Sequence, residues 1–291
     1  MTLRGPVLVG TDLSGGADEA MRQGARLAAE VGGPLIVCHI LPELLRVGML
    51  FPQWRGVDPI TGEALTVKAR EAIDRQIESV LGDAGRETQV VIDSGTAHVG
   101  LFAQADAIGA GVIVTGPGRV AGQVVRHATV PVLIARPSPV GVVVGATDFS
   151  DPALPALHAA ASEARRRRAS LHLVHALDLG VYVMASAPAS AGPYMESLAA
   201  LSLEGFNELS STAETRLTAA LQQFASDGHS AVITGRAGAA IVEYAETVAA
   251  ELVVVGTHGR SGLARMTLGS TAAGVVESAP CSVLVVRVAG Q

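Results

Sequence analysis

The chain contains an internal duplication, and this repeat restricts the possible folds more than any other feature of the sequence. The segment Val7–Ser14 (VLVGTDLS) recurs 136 residues later at Val143–Ser150 (VVGATDFS). Further matches continue to the last apolar segment of each half, and Pro137–Pro139 separates the halves. A chain of 291 residues is long enough for two domains of ordinary size. We therefore predict two domains of one fold, at residues 1–137 and 138–291.

Each half alternates short apolar segments, which predict strands, with amphipathic segments, which predict helices. In the second half the predicted strands are Val140–Ala146, Ser170–Ala176, Ser230–Thr234, Leu252–Gly256 and Ser282–Val288. The predicted helices there are Pro152–Arg168, Glu204–Asp227, Ala239–Ala250 and Thr271–Ser278. Short, continuously apolar strands are typical of parallel sheets that helices cover on both faces. The predicted fold class is therefore α/β, with two repeated doubly wound domains that each contain a five-stranded, mainly parallel sheet.

Residues that directly follow the strands are the candidates for ligand binding. In doubly wound sheets, ligands bind outside the carboxyl ends of the strands, where the strand order reverses. The residues at these ends are Asp12, His39, Gly95 and Gly116 in the first half, and Asp148, His175, Gly235 and Gly256 in the second. We expect any binding site to be assembled from these positions.

A glycine-rich loop follows the fourth predicted strand of the second half. Its pattern is Gly-x2-Gly-x9-Gly-Ser-Thr, formed by Gly256, Gly259, Gly269, Ser270 and Thr271, and a predicted helix begins at its end. Glycines let backbone amides approach an anion closely, and a helix N-terminus directs free N–H groups and a positive dipole end toward it. The hydroxyl groups can donate further hydrogen bonds or cap the helix. No lysine stands where a Walker A loop needs one, so this is a different kind of phosphate loop.

With VGTHGRSG at Val255–Gly262 and APCSVLVVR at Ala279–Arg287, the second half resembles the universal stress protein family, and the resemblance covers both halves. It implies an adenine-nucleotide α-hydrolase-like fold and ATP as the ligand, with or without Mg²⁺. Asp148 would then contact the adenine side, and Ala176 would line the adenine pocket. The residues predicted to form the nucleotide site are Ala146, Thr147, Asp148, Ala176, Gly256, Thr257, Gly259, Arg260, Gly269, Ser270 and Thr271. Arg260 could reach the outer phosphates, although arginines on loops are more often solvated. Ala146 is a mild departure, because many members of the family have proline there.

The first half lacks most of this loop. Gly116 and Gly118 are two residues apart, whereas the corresponding Gly256 and Gly269 are thirteen residues apart. Few backbone amides therefore remain to surround a triphosphate. We predict that the first half has a degenerate nucleotide site, binds no ATP and serves as a structural partner of the second half.

Several candidate residues have a structural interpretation that the sequence leaves open. Asp12 and Asp148 could cap the helices that follow them instead of contacting a ligand. His39 and His175 end buried strands, which favours a structural role over a catalytic one. For His258, a loop-shaping role is favoured over that of a general base.

Composition and charge restrict the classes of function. The formal net charge of −6 argues against a general nucleic-acid binder, and the basic run Arg165–Arg168 has a simpler role at the C-terminus of a helix. No apolar stretch is long enough for a membrane-spanning helix, and Met1–Gly10 lacks the pattern of a secretory signal, so we expect a cytoplasmic chain. Cys38 and Cys281 lie in or beside apolar runs and are expected in the core, not at a metal.

Three hypotheses of function follow from these observations. The first, which the resemblance favours, is an ATP-binding regulatory module of the stress response with an unidentified protein partner. The second is an enzyme, either a slow ATPase or self-phosphorylating protein or an enzyme that uses ATP to activate a substrate. The loop offers no evident carboxylate for a metal, so a dedicated enzyme is not expected. The third is a scaffold that needs no nucleotide.

Assembly and partner binding are expected to involve the sheet edges and two long segments. The terminal strands Val132–Arg136 and Ser282–Val288 are apolar edges that could pair within the chain as a pseudo-dimer of the repeats, with a further homodimer left open. The segments Leu41–Thr66 and Leu177–Leu203 are long, contain proline and differ between the repeats. Long loops are often functional, so these segments are candidates for a lid or a partner surface.

Overall fold

The computed structural model describes residues 3–42, 62–177, 193–224, 228–257 and 268–287. The chain folds into two compact units, one formed by residues 3–137 and one that begins at Ser138. Strands and helices follow one another in the same order in both units. Within the described ranges, no helix combines the length and the apolar character that crossing a lipid bilayer requires.

The first unit alternates strands with helices throughout its described residues. Its strands are β1 (Val7–Gly10), β2 (Leu35–Leu41), β3 (Gln89–Ser94), β4 (Val112–Thr115) and β5 (Val132–Ile134). Its helices are α1 (Gly15–Val31), α2 (Gly62–Leu81), α3 (Ala97–Ile108) and α4 (Arg119–His127). Every strand pair is parallel and the spatial order is β3-β2-β1-β4-β5, so the order reverses between β1 and β4.

The second unit repeats this arrangement. Its strands are β6 (Val142–Ala146), β7 (Ser170–Leu177), β8 (His229–Thr234), β9 (Leu252–Gly256) and β10 (Ser282–Val286). Its helices are α5 (Leu154–Arg167), α6 (Pro193–Phe224), α7 (Ala237–Thr247) and α8 (Ser270–Ser278). The parallel order β8-β7-β6-β9-β10 reverses between β6 and β9. The predicted α/β class with a parallel sheet in each repeat is thus confirmed.

The first strand and helix show why the sequence adopts this fold. Val7, Leu8 and Val9 are fully buried, as a central parallel strand covered on both faces requires. Helix α1 begins where the Ser14 hydroxyl accepts a hydrogen bond from the amide of Ala17. It ends at Gly32, whose φ of 67° is the left-handed conformation that glycine adopts without strain.

The segment before α6 corrects one prediction. The helix expected to begin at Glu204 begins at Pro193, so residues 193–203 of the predicted long segment Leu177–Leu203 are helical. Proline suits the first turn of a helix because its missing N–H needs no partner there. The residues after it include methionine, glutamate, leucine and alanine, which are strong helix formers. Residues 178–192 lie outside the described ranges.

Two further boundaries also differ from the predicted ones. Helix α2 begins at Gly62, inside the predicted segment Leu41–Thr66, of which residues 43–61 are not described. The helix predicted from Pro152 begins as a 3₁₀ turn at Asp151–Ala153 and becomes α-helical at Leu154. Helix ends often contain such turns, because their first N–H groups have no partner within the helix.

The basic run at the C-terminus of α5 contributes to a buried ion network. Glu163 pairs with Arg166 and Arg167, and Arg167 also pairs with Glu251. The other carboxylate oxygen of Glu251 accepts a hydrogen bond from the amide of Gly141. Burial raises the pKa of Glu163, and the charge of Arg167 opposes this shift. The run therefore ties α5 to the residues just before β6 and β9, in addition to its predicted place at a helix end.

Candidate nucleotide site

A cavity of about 360 Å³ opens at the carboxyl ends of β6, β7 and β9. Nine of the eleven residues predicted to bind a nucleotide line it, namely Ala146, Thr147, Asp148, Ala176, Gly256, Thr257, Gly269, Ser270 and Thr271. The other two, Gly259 and Arg260, lie outside the described residues together with the rest of loop 258–267. The cavity lies where the strand order reverses, which is the usual ligand position in a doubly wound sheet.

The cavity wall also contains apolar residues that the sequence does not single out. Val174, Val255 and Ile241 line the cavity and are almost fully buried. Their apolar side chains predict core positions, and the structure places them in the core. A sequence pattern cannot distinguish a core side chain from a core side chain that also faces a cavity. These residues give the cavity a largely apolar floor next to the polar groups at its rim, a combination common in small-molecule sites.

The loop after β6 places Asp148 at the rim. Asp148 Oδ1 accepts hydrogen bonds from Ser150 N at 3.0 Å and from Ser150 Oγ at 2.6 Å, while Thr147 Oγ1 accepts one from Phe149 N at 3.0 Å. Ser150, and not Asp148, occupies the N-cap position of the following turn. In the first unit Ser14 likewise caps α1, and Asp12 accepts hydrogen bonds from Ser14. Both aspartates therefore orient a serine instead of capping a helix themselves.

His175 holds this loop in place. Its Nδ1 lies 2.7 Å from the carbonyl oxygen of Thr147, and because a carbonyl can only accept, Nδ1 carries the proton. The ring of Phe149 lies over His175 with 4.4 Å between centroids. The guanidinium carbon of Arg216 lies 4.4 Å above the same Phe149 ring. This stack, together with the hydrogen bond, gives His175 the structural role that the sequence favours.

Phe149 also has an uncommon backbone conformation. Its φ is 63°, and Leu13 at the same position of the first unit has a φ of 65°. Residues with a side chain rarely adopt this left-handed conformation, and such residues cluster at ligand sites. The repetition of the same conformation in both units shows that it belongs to the architecture of the loop.

The N-terminus of α8 forms the opposite wall. Gly269 is the N-cap and offers no side-chain hydrogen bond, and its amide donates to the carbonyl oxygen of Thr257 at 2.9 Å. That bond brings together the two ends of the glycine-rich loop. The first N–H groups of the helix, from Ser270 onward, have no acceptor within the helix. Because Ser270 and Thr271 line the cavity, this end of the helix can bind an anion there.

The first unit contains a comparable cavity of about 310 Å³. It lies at the carboxyl ends of β1, β2 and β4 and is lined by Thr11, Asp12 and residues 116–121, among others. Only residues 116–118 separate β4 from α4, whereas residues 257–269 separate β9 from α8. A Cβ on Gly116 would lie 2.7 Å from the backbone of Gly16, so only glycine fits there. The first unit thus has a cavity at this position although its loop is much shorter than that of the second unit.

The two cavities differ at the position of the predicted adenine contact. Ile40 of the first unit corresponds to Ala176 of the second and also lines its cavity. Ile40 packs so closely on α3 that a Cβ on Gly100 would lie 2.6 Å from its Cδ1. The second unit has Ala240 at that helix position. The larger side chain of Ile40 is thus accommodated in the first unit by Gly100, whereas the second unit combines the small Ala176 with the methyl group of Ala240.

The two cysteines lie in the core, as the sequence predicts. Cys38 and Cys281 are both buried thiols. Burial, together with the charge of Asp93, raises the pKa of the Cys38 thiol to about 12. Among the described residues, no three histidines, cysteines or carboxylates come together in a way that could hold a metal ion.

Comparison with known proteins identifies relatives of both repeats. Residues 4–136 and 140–287 each match the sequence profile of the universal stress protein family. A universal stress protein of Methanocaldococcus jannaschii is 32% identical over 141 residues, which are 48% of this chain and 78% of the relative. Universal stress protein A homolog 2 of Coxiella burnetii is 34% identical over 125 residues, 43% of this chain and 78% of the relative.

Among solved structures, a universal stress protein from Archaeoglobus fulgidus is similar over 97% of this chain and 96% of its own. Its TM-score is 0.65 and its sequence identity is 21%, a level at which the similarity concerns the fold alone.

Proposed function

Because this chain belongs to the universal stress protein family, we propose that its second unit binds ATP and that occupancy of this site regulates a contact with a protein partner. One observation supports the proposal above all others. Nine residues that the sequence assigns to a nucleotide surround a single cavity, although they come from four separate stretches of the chain. We place this role in the cytoplasm and in the stress response.

The residues present fit the parts of a nucleotide. The amides and hydroxyls at Gly269, Ser270 and Thr271 would hold phosphate groups at the N-terminus of α8. Asp148 and Ala176 would contact the adenine side, above the apolar floor. Gly259 and Arg260 belong to the proposed site on the evidence of the sequence. A Mg²⁺ ion would be carried by the phosphates and would neutralise part of their charge.

The first unit, residues 1–137, is proposed to bind no ATP. Its loop of three residues offers few amides to a triphosphate, and Ile40 lies where the second unit has the smaller Ala176. Its proposed role is that of a structural partner. The pairing of the repeats through their edge strands, and any further homodimer, stay predictions.

Calorimetric titration with Mg-ATP of the wild type and of Ala176→Ile tests the adenine assignment. The substitution introduces the residue that the first unit has at this position. It is combined with Ala240→Gly in the same protein, because a Cβ on the corresponding Gly100 would lie only 2.6 Å from Ile40. Crowding a packed site costs about 1–3 kcal/mol, so we expect binding to weaken about five- to 150-fold. Ala219→Ile, at an exposed position of α6, is the matched control and should bind like the wild type. Wild-type affinity in the folded double variant would show that the adenine does not contact this residue.

A further inference from the structure

Two histidines of the second unit lie side by side on neighbouring strands. His172 of β7 and His229 of β8 are register partners in a parallel pair, and their ring centroids are 4.7 Å apart. His229 is exposed and His172 is partly exposed, so a small hydrated ion can reach this place from solvent. Two imidazoles so close together repel each other when both carry a proton, whereas a metal ion bound between them makes their proximity favourable.

The spacing of the two rings matches that of two imidazoles bound to one metal ion. A metal–nitrogen bond of about 2.0–2.1 Å places each ring centroid about 3.2 Å from the metal, so ligands at about 90–110° have centroids about 4.5–5.2 Å apart. The observed 4.7 Å lies within this range. A second pair, His98 and His127 of the first unit, has centroids 6.4 Å apart and lies outside it.

Tyr244 of α7 orients one of the two rings. Its hydroxyl oxygen lies 3.0 Å from Nδ1 of His172. When Nδ1 donates its proton to this oxygen, Nε2 carries no proton and can bind a metal ion. Histidines that bind metals usually have such a hydrogen bond on their other nitrogen, because it fixes the tautomer and the ring orientation. Burial raises the pKa of Tyr244, so its hydroxyl stays protonated and acts as a positioning group, not as a ligand.

These three side chains are particular to the second unit. The first unit has Ile36, Gln89 and Gln104 at the corresponding positions. Ile36 and Gln89 are paired in the same register as the two histidines, so the strands are equivalent and only the side chains differ. Gln104 donates a hydrogen bond to Asp93 instead. Neither the fold nor the strand pairing therefore requires histidine at these positions.

We propose that His172 and His229 bind a divalent transition-metal ion of the zinc and copper class, with Tyr244 as the positioning residue. Imidazole is a favourable ligand for both metals. No group of three histidines, cysteines or carboxylates comes together in the part of the chain that the structure describes, so water molecules complete the coordination. The ion is separate from the nucleotide, because His172 lies four residues before Ala176, about 13 Å along β7. It joins the edge strand β8 to β7.

Calorimetric titration of the full chain with ZnCl₂ tests this proposal, after metals have been removed with EDTA and the EDTA has been dialysed away. We expect one Zn²⁺ ion per chain at about pH 7.5 and weaker binding at about pH 5.5, because protons compete for the imidazole nitrogens. The electron paramagnetic resonance spectrum of the protein with one equivalent of CuCl₂ should show coupling to two nitrogen atoms.

Variants localise the binding. His229→Gln introduces the residue of the first unit at an exposed position and removes one ligand, so Zn²⁺ affinity should fall at least about tenfold. Tyr244→Phe keeps the ring and should weaken Zn²⁺ about tenfold while the two-nitrogen Cu²⁺ signal remains. His127→Gln, in the histidine pair that is too far apart, is the matched control and should bind like the wild type.

Urea unfolding gives a second measurement that does not depend on the heat of binding. Because a ligand of the folded state stabilises it, Zn²⁺ should raise the unfolding midpoint of the wild type and of His127→Gln, but not that of His229→Gln. The proposal is overturned if folded protein binds no Zn²⁺ up to about 1 mM, or if His229→Gln retains wild-type affinity. Unchanged Zn²⁺ affinity in folded Tyr244→Phe would refute the positioning role of Tyr244.

Discussion

Replacing Phe149 by leucine, the residue that the first unit has at the same position, tests how the loop after β6 is held. Leucine keeps an apolar side chain at the same backbone φ but loses both ring contacts. Those contacts are His175 at 4.4 Å between centroids and Arg216 at 4.4 Å from the ring centroid. The aromatic pair is worth about 0.5–1.5 kcal/mol and a cation over a ring at an exposed site about 0.5–1 kcal/mol. We expect Phe149→Leu to lower the free energy of unfolding by about 1–2.5 kcal/mol.

A double-mutant cycle separates the two contacts. Phe149→Leu, Arg216→Ala and the double variant are compared with the wild type in urea unfolding followed by circular dichroism. If Arg216 acts through the ring, the coupling free energy should be about 0.5–1 kcal/mol. Glutamine is unsuitable at position 216, because the corresponding Gln76 accepts a hydrogen bond from Thr11 and would add a contact of its own.

The cycle also has a functional outcome. Because His175 and Phe149 hold the loop that carries Thr147 and Asp148, both single variants are expected to weaken Mg-ATP binding. Phe149→Leu should do so more strongly, since it removes both contacts. A coupling free energy below about 0.3 kcal/mol, which is within the error of additivity, would show that Arg216 does not act through the Phe149 ring.

Three further changes are expected to have defined effects. Glu163→Ala removes one partner of the nearly buried Arg167, which keeps Glu251, and should cost about 1.5–3 kcal/mol in urea unfolding. Asp74→Ala, in an exposed ion pair, should cost less than about 1 kcal/mol. Burial and nearby His229 lower the pKa of His172 below its ordinary 6.5, so the unfolded chain binds the proton more readily. Stability should therefore fall as the pH drops below 6.5, and His172→Gln should reduce that pH dependence in urea unfolding. Cys38, buried and with its pKa raised to about 12, should resist iodoacetamide in the native protein and react in urea, as mass spectrometry can show.

The repeat and the alternation of strands and helices were enough to predict the fold class. Both features can be recognised from local or periodic sequence patterns. Continuously apolar strands such as β9, which contains Val253 and Val254, predict parallel pairing. The start of α6 at Pro193 was missed because proline is also a loop signal, and its favourable place in a first helical turn depends on the residues after it. Helix ends therefore remained the least predictable part of the fold.

In the site, the sequence predicted the positions that directly follow strands or belong to the glycine pattern. It did not predict the stack of Arg216 on Phe149, because these residues are 67 positions apart and meet only when α6 packs on the sheet. A comparison of the two repeats could have singled out position 216, because Arg216 aligns with Gln76 and the two units therefore differ there.

The number of ATP molecules bound by each chain tests the asymmetry between the repeats most directly. Calorimetric titration with Mg-ATP should give one site per chain in the wild type and in Asp12→Ala. Gly269→Val should abolish this site, because Gly269 lines the cavity and a valine side chain there would enter it. Its Cβ alone would lie 3.2 Å from the Thr257 carbonyl oxygen. Two sites per chain, or no binding by folded protein free of bound nucleotide, would contradict the assignment of ATP to the second unit alone.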